Sequence, residues 1–102
     1  MSAKVDRRRI VFLVSGNGGT LKFLQLAIDR LRLPFQITAV IADRDCGALT
    51  FARQQEEIQS ERIRYRRTSP NELRTLLTSL QPDAVVTTFH RIIDPETLDL
   101  LP

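Results

Sequence analysis

The stretch that most constrains the fold runs from Ile10 to Thr20, Ile-Val-Phe-Leu-Val-Ser-Gly-Asn-Gly-Gly-Thr. An unbroken apolar run, Ile10 to Val14, stops at a polar loop dense in glycine. The run is far too short to span a membrane, is rich in β-branched residues and does not alternate, which predicts a strand buried on both faces of a parallel sheet. The loop therefore leaves a strand's carboxyl end. From Leu21 the pattern turns helical, so Gly16 to Thr20 are expected to present backbone N–H groups at a helix N-terminus. Unpaired donors and the helix dipole favour an anion there, a phosphate first among them.

The rest of the chain repeats this unit. Leu21, Leu24, Ile28 and Leu31 form one apolar stripe of a helix that ends at Pro34, and Phe35 to Ala42 is a second strand. Asp43 to Gly47 turns the chain into a helix around Ala48 to Ile58, with Asp45 as its expected cap. Glu61 to Arg67 alternates Ile63 and Tyr65 with arginines, the pattern of an edge strand with one wet face. Ser69-Pro70-Asn71-Glu72 has capping-box spacing and opens a helix whose buried stripe is Leu73, Leu76, Leu77 and Leu80. Ala84 to Phe89 reads as a further buried strand, and Asp94-Pro95-Glu96 starts a last helical stretch through Leu98 and Leu101.

Strands alternating with helices through short connections specify an α/β doubly wound parallel sheet. Placing the arginine-rich strand at one edge gives four strands in the order 3-2-1-4. Ser15 to Thr20 and Thr87 to Ile93 are then expected to converge at the switch point of the sheet. The fourth strand becomes the other edge, yet it carries none of the charges or prolines that protect an edge. The domain, residues 1–102 with a basic polar flank at 1–9, is therefore read as truncated, or as completed by a partner through self-association along that strand.

Composition narrows the partners. With 102 residues, 42% of them hydrophobic and 26% charged, there is room for one domain. The net charge of +3 is concentrated in Arg7 to Arg9 and in Arg62, Arg64, Arg66 and Arg67. Without interleaved aromatics these clusters read as a solvated flank and a charged edge, with no nucleic-acid partner. One cysteine, Cys46, and one histidine leave no disulfide framework and no metal-site spacing. No signal-peptide core or membrane-spanning run is present, so the expected compartment is the cytoplasm and no membrane partner is expected.

Spacing removes two phosphate-loop readings. A dinucleotide fingerprint needs a third glycine where Leu21 stands, and Asp43 lies late for its ribose-binding acid. A Walker loop needs Ser or Thr after its lysine, whereas Lys22 precedes Phe23. What remains is either a backbone anion cradle or a tight strand-to-helix turn. No catalytic residue is assigned: His90 lacks an orienting partner, Cys46 has no second histidine to activate it, and Ser15 is outside a nucleophile-elbow motif.

Val14-Ser15-Gly16-Asn17-Gly18-Gly19-Thr20-Leu21, Asp43-Arg44 to Ala52-Arg53, and Pro82-Asp83-Ala84-Val85-Val86 to Phe89-His90-Arg91-Ile92-Ile93 together resemble the N-terminal half of the glycinamide ribonucleotide formyltransferase family. The resemblance is collinear over nearly the whole chain. It implies a Rossmann-like formyltransferase fold and formyl transfer from 10-formyltetrahydrofolate, as cosubstrate, to the amine of glycinamide ribonucleotide in purine synthesis; that no metal is expected rests on the cysteine and histidine content alone. It implies that Gly16, Asn17, Gly18, Gly19 and Thr20 hold the phosphate of a small-molecule substrate. Phe89, His90, Arg91, Ile92 and Ile93 would border the folate. Gly19-Thr20 stands where the family usually has Ser-Asn, Thr88 where it commonly has Gly, and His90 where it commonly has Met. The family's catalytic Asn, His and Asp would fall beyond Pro102, so this chain alone is expected to be inactive. Three other readings compete: a non-catalytic phosphate-ligand module, an oligomerising α/β module, and a formyltransferase or formyltetrahydrofolate hydrolase with another acceptor.

Overall fold

A computed structural model describes residues 7–102, so the first part of the expected flank, residues 1–6, lies outside the described residues. The elements follow the order β1 (Arg8–Val14), α1 (Gly19–Leu31), β2 (Phe35–Ala42), α2 (Gly47–Arg53), β3 (Gln59–Arg62), α3 (Asn71–Leu80), β4 (Ala84–Thr88) and α4 (Pro95–Leu98). All strand pairs are parallel, and the sheet order is β3-β2-β1-β4, as the sequence predicts.

The apolar run of β1 is buried on both faces because its side chains alternate between two helical layers. Ile10, Phe12 and Val14 pack with Leu21 and Ile28 of α1 and with Ala48, Leu49 and Ala52 of α2. Val11 and Leu13 face Leu73 and Leu77 of α3 on the other side. The β1–β2 register slips between Ile10 and Val11, and the Thr38 hydroxyl there approaches the Ile10 carbonyl at 3.5 Å. At the opposite side of β1, the Asp83 carboxylate accepts the Arg9 backbone N–H at 2.7 Å and sets the start of β4.

Several local expectations change. Helix α1 begins at Gly19, not Leu21, and Leu31, expected in its buried stripe, is 68% exposed at its last position. Helix α2 stops at Arg53 and is capped at Cys46 without a side-chain bond; Asp45 instead pairs with Arg62 at 3.5 Å. Strand β3 comes earlier than the alternation suggests. Ile63 and Tyr65 are buried as expected, but they lie beyond the strand, where the Ile63 N–H still reaches the Ala42 carbonyl. Helix α3 is capped at Pro70, not by Ser69, whose N–H closes a turn onto Arg66. The fourth strand is less buried than its apolar sequence suggests: among the described residues it pairs only with β1, and Ala84, Thr87 and Thr88 are exposed. No helix among the described residues is long and apolar enough to cross a membrane.

Candidate functional site

The strand register builds the site. Val14 pairs with Ala42 on one side and with Thr88 on the other, so the next residues, Ser15, Asp43 and Phe89, leave the sheet side by side. Three loops therefore meet at the carboxyl ends of β2, β1 and β4, the expected switch point.

The glycine loop is held open by its neighbours. Gly18 caps α1 at φ 84°, a conformation that disfavours a side chain, and the first intrahelical bond runs from the Lys22 N–H to its carbonyl at 2.9 Å. A Cβ at Gly18 would also lie 2.8 Å from the Ala48 Cα. Helix α2 braces the loop from behind, with the Ala48 N–H donating to the Gly16 carbonyl at 3.0 Å. No side chain caps α1, and its first turn holds no acidic residue. The first-turn N–H groups therefore have no intrahelical acceptor and no competing carboxylate. A Cβ at Gly16 or Gly19 would meet nothing within 4 Å. All five expected phosphate-site residues, Gly16 to Thr20, line one small cavity of about 140 Å³, together with Thr88 and His90.

A second, larger cavity of about 700 Å³ lies on the other side of His90. Its walls are Asp43, the loop Arg64 to Arg67, and His90, Arg91 and Ile92. Of the five residues expected at the folate, three line this cleft. Phe89 and Ile93 turn inward: Ile93 is buried against the α3 side of the core, and the Phe89 ring lies 6.0 Å from that of Tyr65. The arginines that the sequence assigns to a solubilising edge strand divide in two. Arg62 pairs with Asp45, whereas Arg64, Arg66 and Arg67 stand on the loop that walls the cleft.

Between the two cavities lies a polar relay that motif reading missed. The Ser15 hydroxyl accepts the His90 backbone N–H at 2.9 Å and donates to the Asp43 carboxylate at 2.6 Å. Asp43 also accepts two bonds from Arg44, at 3.2 and 3.1 Å, and one from Arg91 at 3.2 Å. Burial pushes the Asp43 carboxyl up, but the hydrogen bonds from Arg44, Ser15 and Arg91 outweigh it and hold the group below its ordinary value. Charge is thus neutralised where the carboxylate side chain is 1% exposed. The signal for this relay was in the register: Ser15 and Asp43 each follow the last residue of neighbouring strands.

No group of His, Cys, Asp and Glu side chains among the described residues is placed to hold a metal ion. Chemically, the arrangement offers backbone donors for an anion beside a cleft with cationic walls. Its one hydroxyl–carboxylate pair, Ser15 with Asp43, is buried.

No protein-family model matches the sequence, and no curated protein matches it. Solved structures match in fold. Glycinamide ribonucleotide transformylase 1 from Symbiobacterium toebii superposes with a TM-score of 0.82 at 25% identity, over 95% of this chain and 49% of that one. Phosphoribosylglycinamide formyltransferase from Coxiella burnetii gives 0.81 at 29% identity, over 91% and 46%. A formyltetrahydrofolate deformylase from Pseudomonas putida shares the fold alone, with a TM-score of 0.76 at 15% identity, over 93% and 35%. The chain thus has the Rossmann-like fold of these formyltransferases and spans about half the length of the structures it matches.

Proposed function

We propose that residues 1–102 form the substrate-phosphate-binding, N-terminal half of a formyltransferase domain acting on glycinamide ribonucleotide with 10-formyltetrahydrofolate. One observation carries the reading. The uncapped, glycine-lined start of α1 and the cleft beyond it share His90 as a common wall, so two ligands seated there would meet. The likeness to glycinamide ribonucleotide transformylases supports the choice of ligands.

In this reading the N–H groups of Gly16 to Thr20 take the phosphate, and the glycinamide amine extends toward the cleft. His90, Arg91 and Ile92 border the folate, while Phe89 and Ile93 support that loop from the core. Holding both ligands in one frame converts a bimolecular encounter into an oriented attack of the amine on the formyl carbon. Proton transfer and stabilisation of the tetrahedral oxyanion belong to groups outside these residues, so the chain alone binds without transferring formyl.

Calorimetric titration with glycinamide ribonucleotide and with the same compound lacking its phosphate tests the reading. The phosphorylated ligand is expected to bind at least about tenfold more tightly than the dephosphorylated one, and equal affinities would rule out the phosphate cradle.

A further inference from the structure

The relay through Ser15 touches all three loops at once. Its hydroxyl stands at the end of β1 immediately before Gly16, accepts the backbone N–H of His90, a residue that lines both cavities, and donates a hydrogen bond to Asp43. The same carboxylate reaches Arg91 on the cleft wall. A side chain that is 1% exposed yet bonded from three loop positions has no freedom to serve one loop without the others. The Ser15 bond joins the start of the glycine loop to this carboxylate, the Arg91 bond joins the 90–91 loop to it, and Arg44 holds it from its own loop.

We propose that Asp43 is a positioning residue that couples the two subsites: a ligand ordering the glycine loop also orders the His90–Arg91 wall, and the reverse. The inference rests on the two-subsite reading above. Its physical basis is shared ordering, since a loop already immobilised by one ligand costs less to immobilise for the second. Coupling of this kind is reciprocal, so each ligand tightens the other by the same factor. Asp43→Asn tests the charged arm, because an amide oxygen still accepts the Ser15 hydroxyl but no longer pairs with the Arg91 guanidinium. Ser15→Ala tests the other arm by removing the His90 anchor.

The experiment titrates the full chain with ribose 5-phosphate, alone and in saturating 5-formyltetrahydrofolate, and repeats the titration for both variants. The expected wild-type result is a roughly fivefold gain in affinity for one probe in the presence of the other, the low end of ordinary coupling. In each variant that factor falls toward one. A residue with only a structural role would weaken each probe alone and leave the factor intact; that result, or a wild-type factor of one, overturns the proposal. Amide hydrogen exchange without ligand gives an independent readout. Both variants are expected to speed exchange at His90 and across Gly16 to Thr20 together, and a change confined to one loop overturns the coupling. If the wild type binds neither probe, the proposed function fails, while the exchange pattern still decides the role of Asp43.

Discussion

The Tyr65 hydroxyl donates to the Asp94 carboxylate at 2.7 Å and accepts the Asp94 backbone N–H, also at 2.7 Å. Residues 29 positions apart are joined in both directions, and the loop after β3 is tied to the start of α4. Asp94 also caps α4 through the Thr97 N–H at 3.1 Å, and it takes the Arg74 guanidinium of α3 at 2.5 Å. This cluster braces the rear of the His90–Ile93 loop, as Asp43 braces its front.

Tyr65→Phe leaves a buried N–H and a carboxylate oxygen each short of a partner. The variant is expected to lose about 1–2 kcal/mol in urea denaturation, in the range of a buried polar group left unsatisfied. An unchanged midpoint would show that the hydroxyl does not brace this loop.

Acid should release the same brace. Burial pushes the Asp94 carboxyl up, but hydrogen bonds from Thr97, Arg74 and Tyr65 overcome it and hold the group well below the usual carboxylate range. A carboxyl with a depressed folded value stabilises fully above its unfolded value and loses that contribution as the pH falls toward the folded one. Asp43 has a shift of the same sign. Unfolding free energy is therefore expected to fall progressively below about pH 5. Asp94→Asn should show a shallower fall, measured by denaturation across pH; a slope equal to wild type would contradict the assignment.

Two glycines separate fold from binding. Gly18→Ala combines a left-handed backbone with a Cβ 2.8 Å from the Ala48 Cα, so it is expected to cost about 1–3 kcal/mol in thermal or chemical denaturation. Gly16→Ala meets open space and should change stability by no more than about 0.5 kcal/mol. Gly16 nevertheless lines the cavity proposed to hold phosphate, so Gly16→Ala should weaken phosphate binding while melting normally.

The end of α1 carries removable strain. Arg32 terminates the helix at φ 51°, where glycine is the favoured residue. Arg32→Gly is expected to raise stability by about 0.5–1 kcal/mol, read from a shift of the denaturation midpoint at constant slope. A loss of stability would mean that the arginine side chain contributes more than its backbone costs.

The sheet order was legible because a run buried on both faces, Ile10–Val14, needs a neighbouring strand on each side, and the arginine-rich segment was expected at an edge, where β3 lies although most of those arginines fall on the loop after it. Meeting of the glycine loop with the His90 loop followed from that order alone. Boundaries were harder where side-chain pattern and backbone pairing part company. Ile63 and Tyr65 alternate and are buried, yet the pairing with β2 ends with the Ile63 N–H, and their burial comes from packing in the cluster with Leu73, Leu77 and Phe89 rather than from a strand ladder. Ser69 and Asp45 had capping chemistry in the sequence but found other partners, a turn onto Arg66 and an ion pair with Arg62. The inward turn of Phe89 and Ile93 was invisible for a related reason: an apolar run at a strand end does not say which of its members face a cleft.

Whether the start of α1 holds a phosphate is decided by a residue-resolved titration. Backbone amide resonances of the full chain are followed while ribose 5-phosphate is added. The largest saturating shifts are expected on Gly16 to Thr20 and are expected to weaken in Gly16→Ala. Shifts confined to Arg64 to Arg67, with the glycine loop unmoved, would contradict it and make the cationic cleft wall the anion site instead.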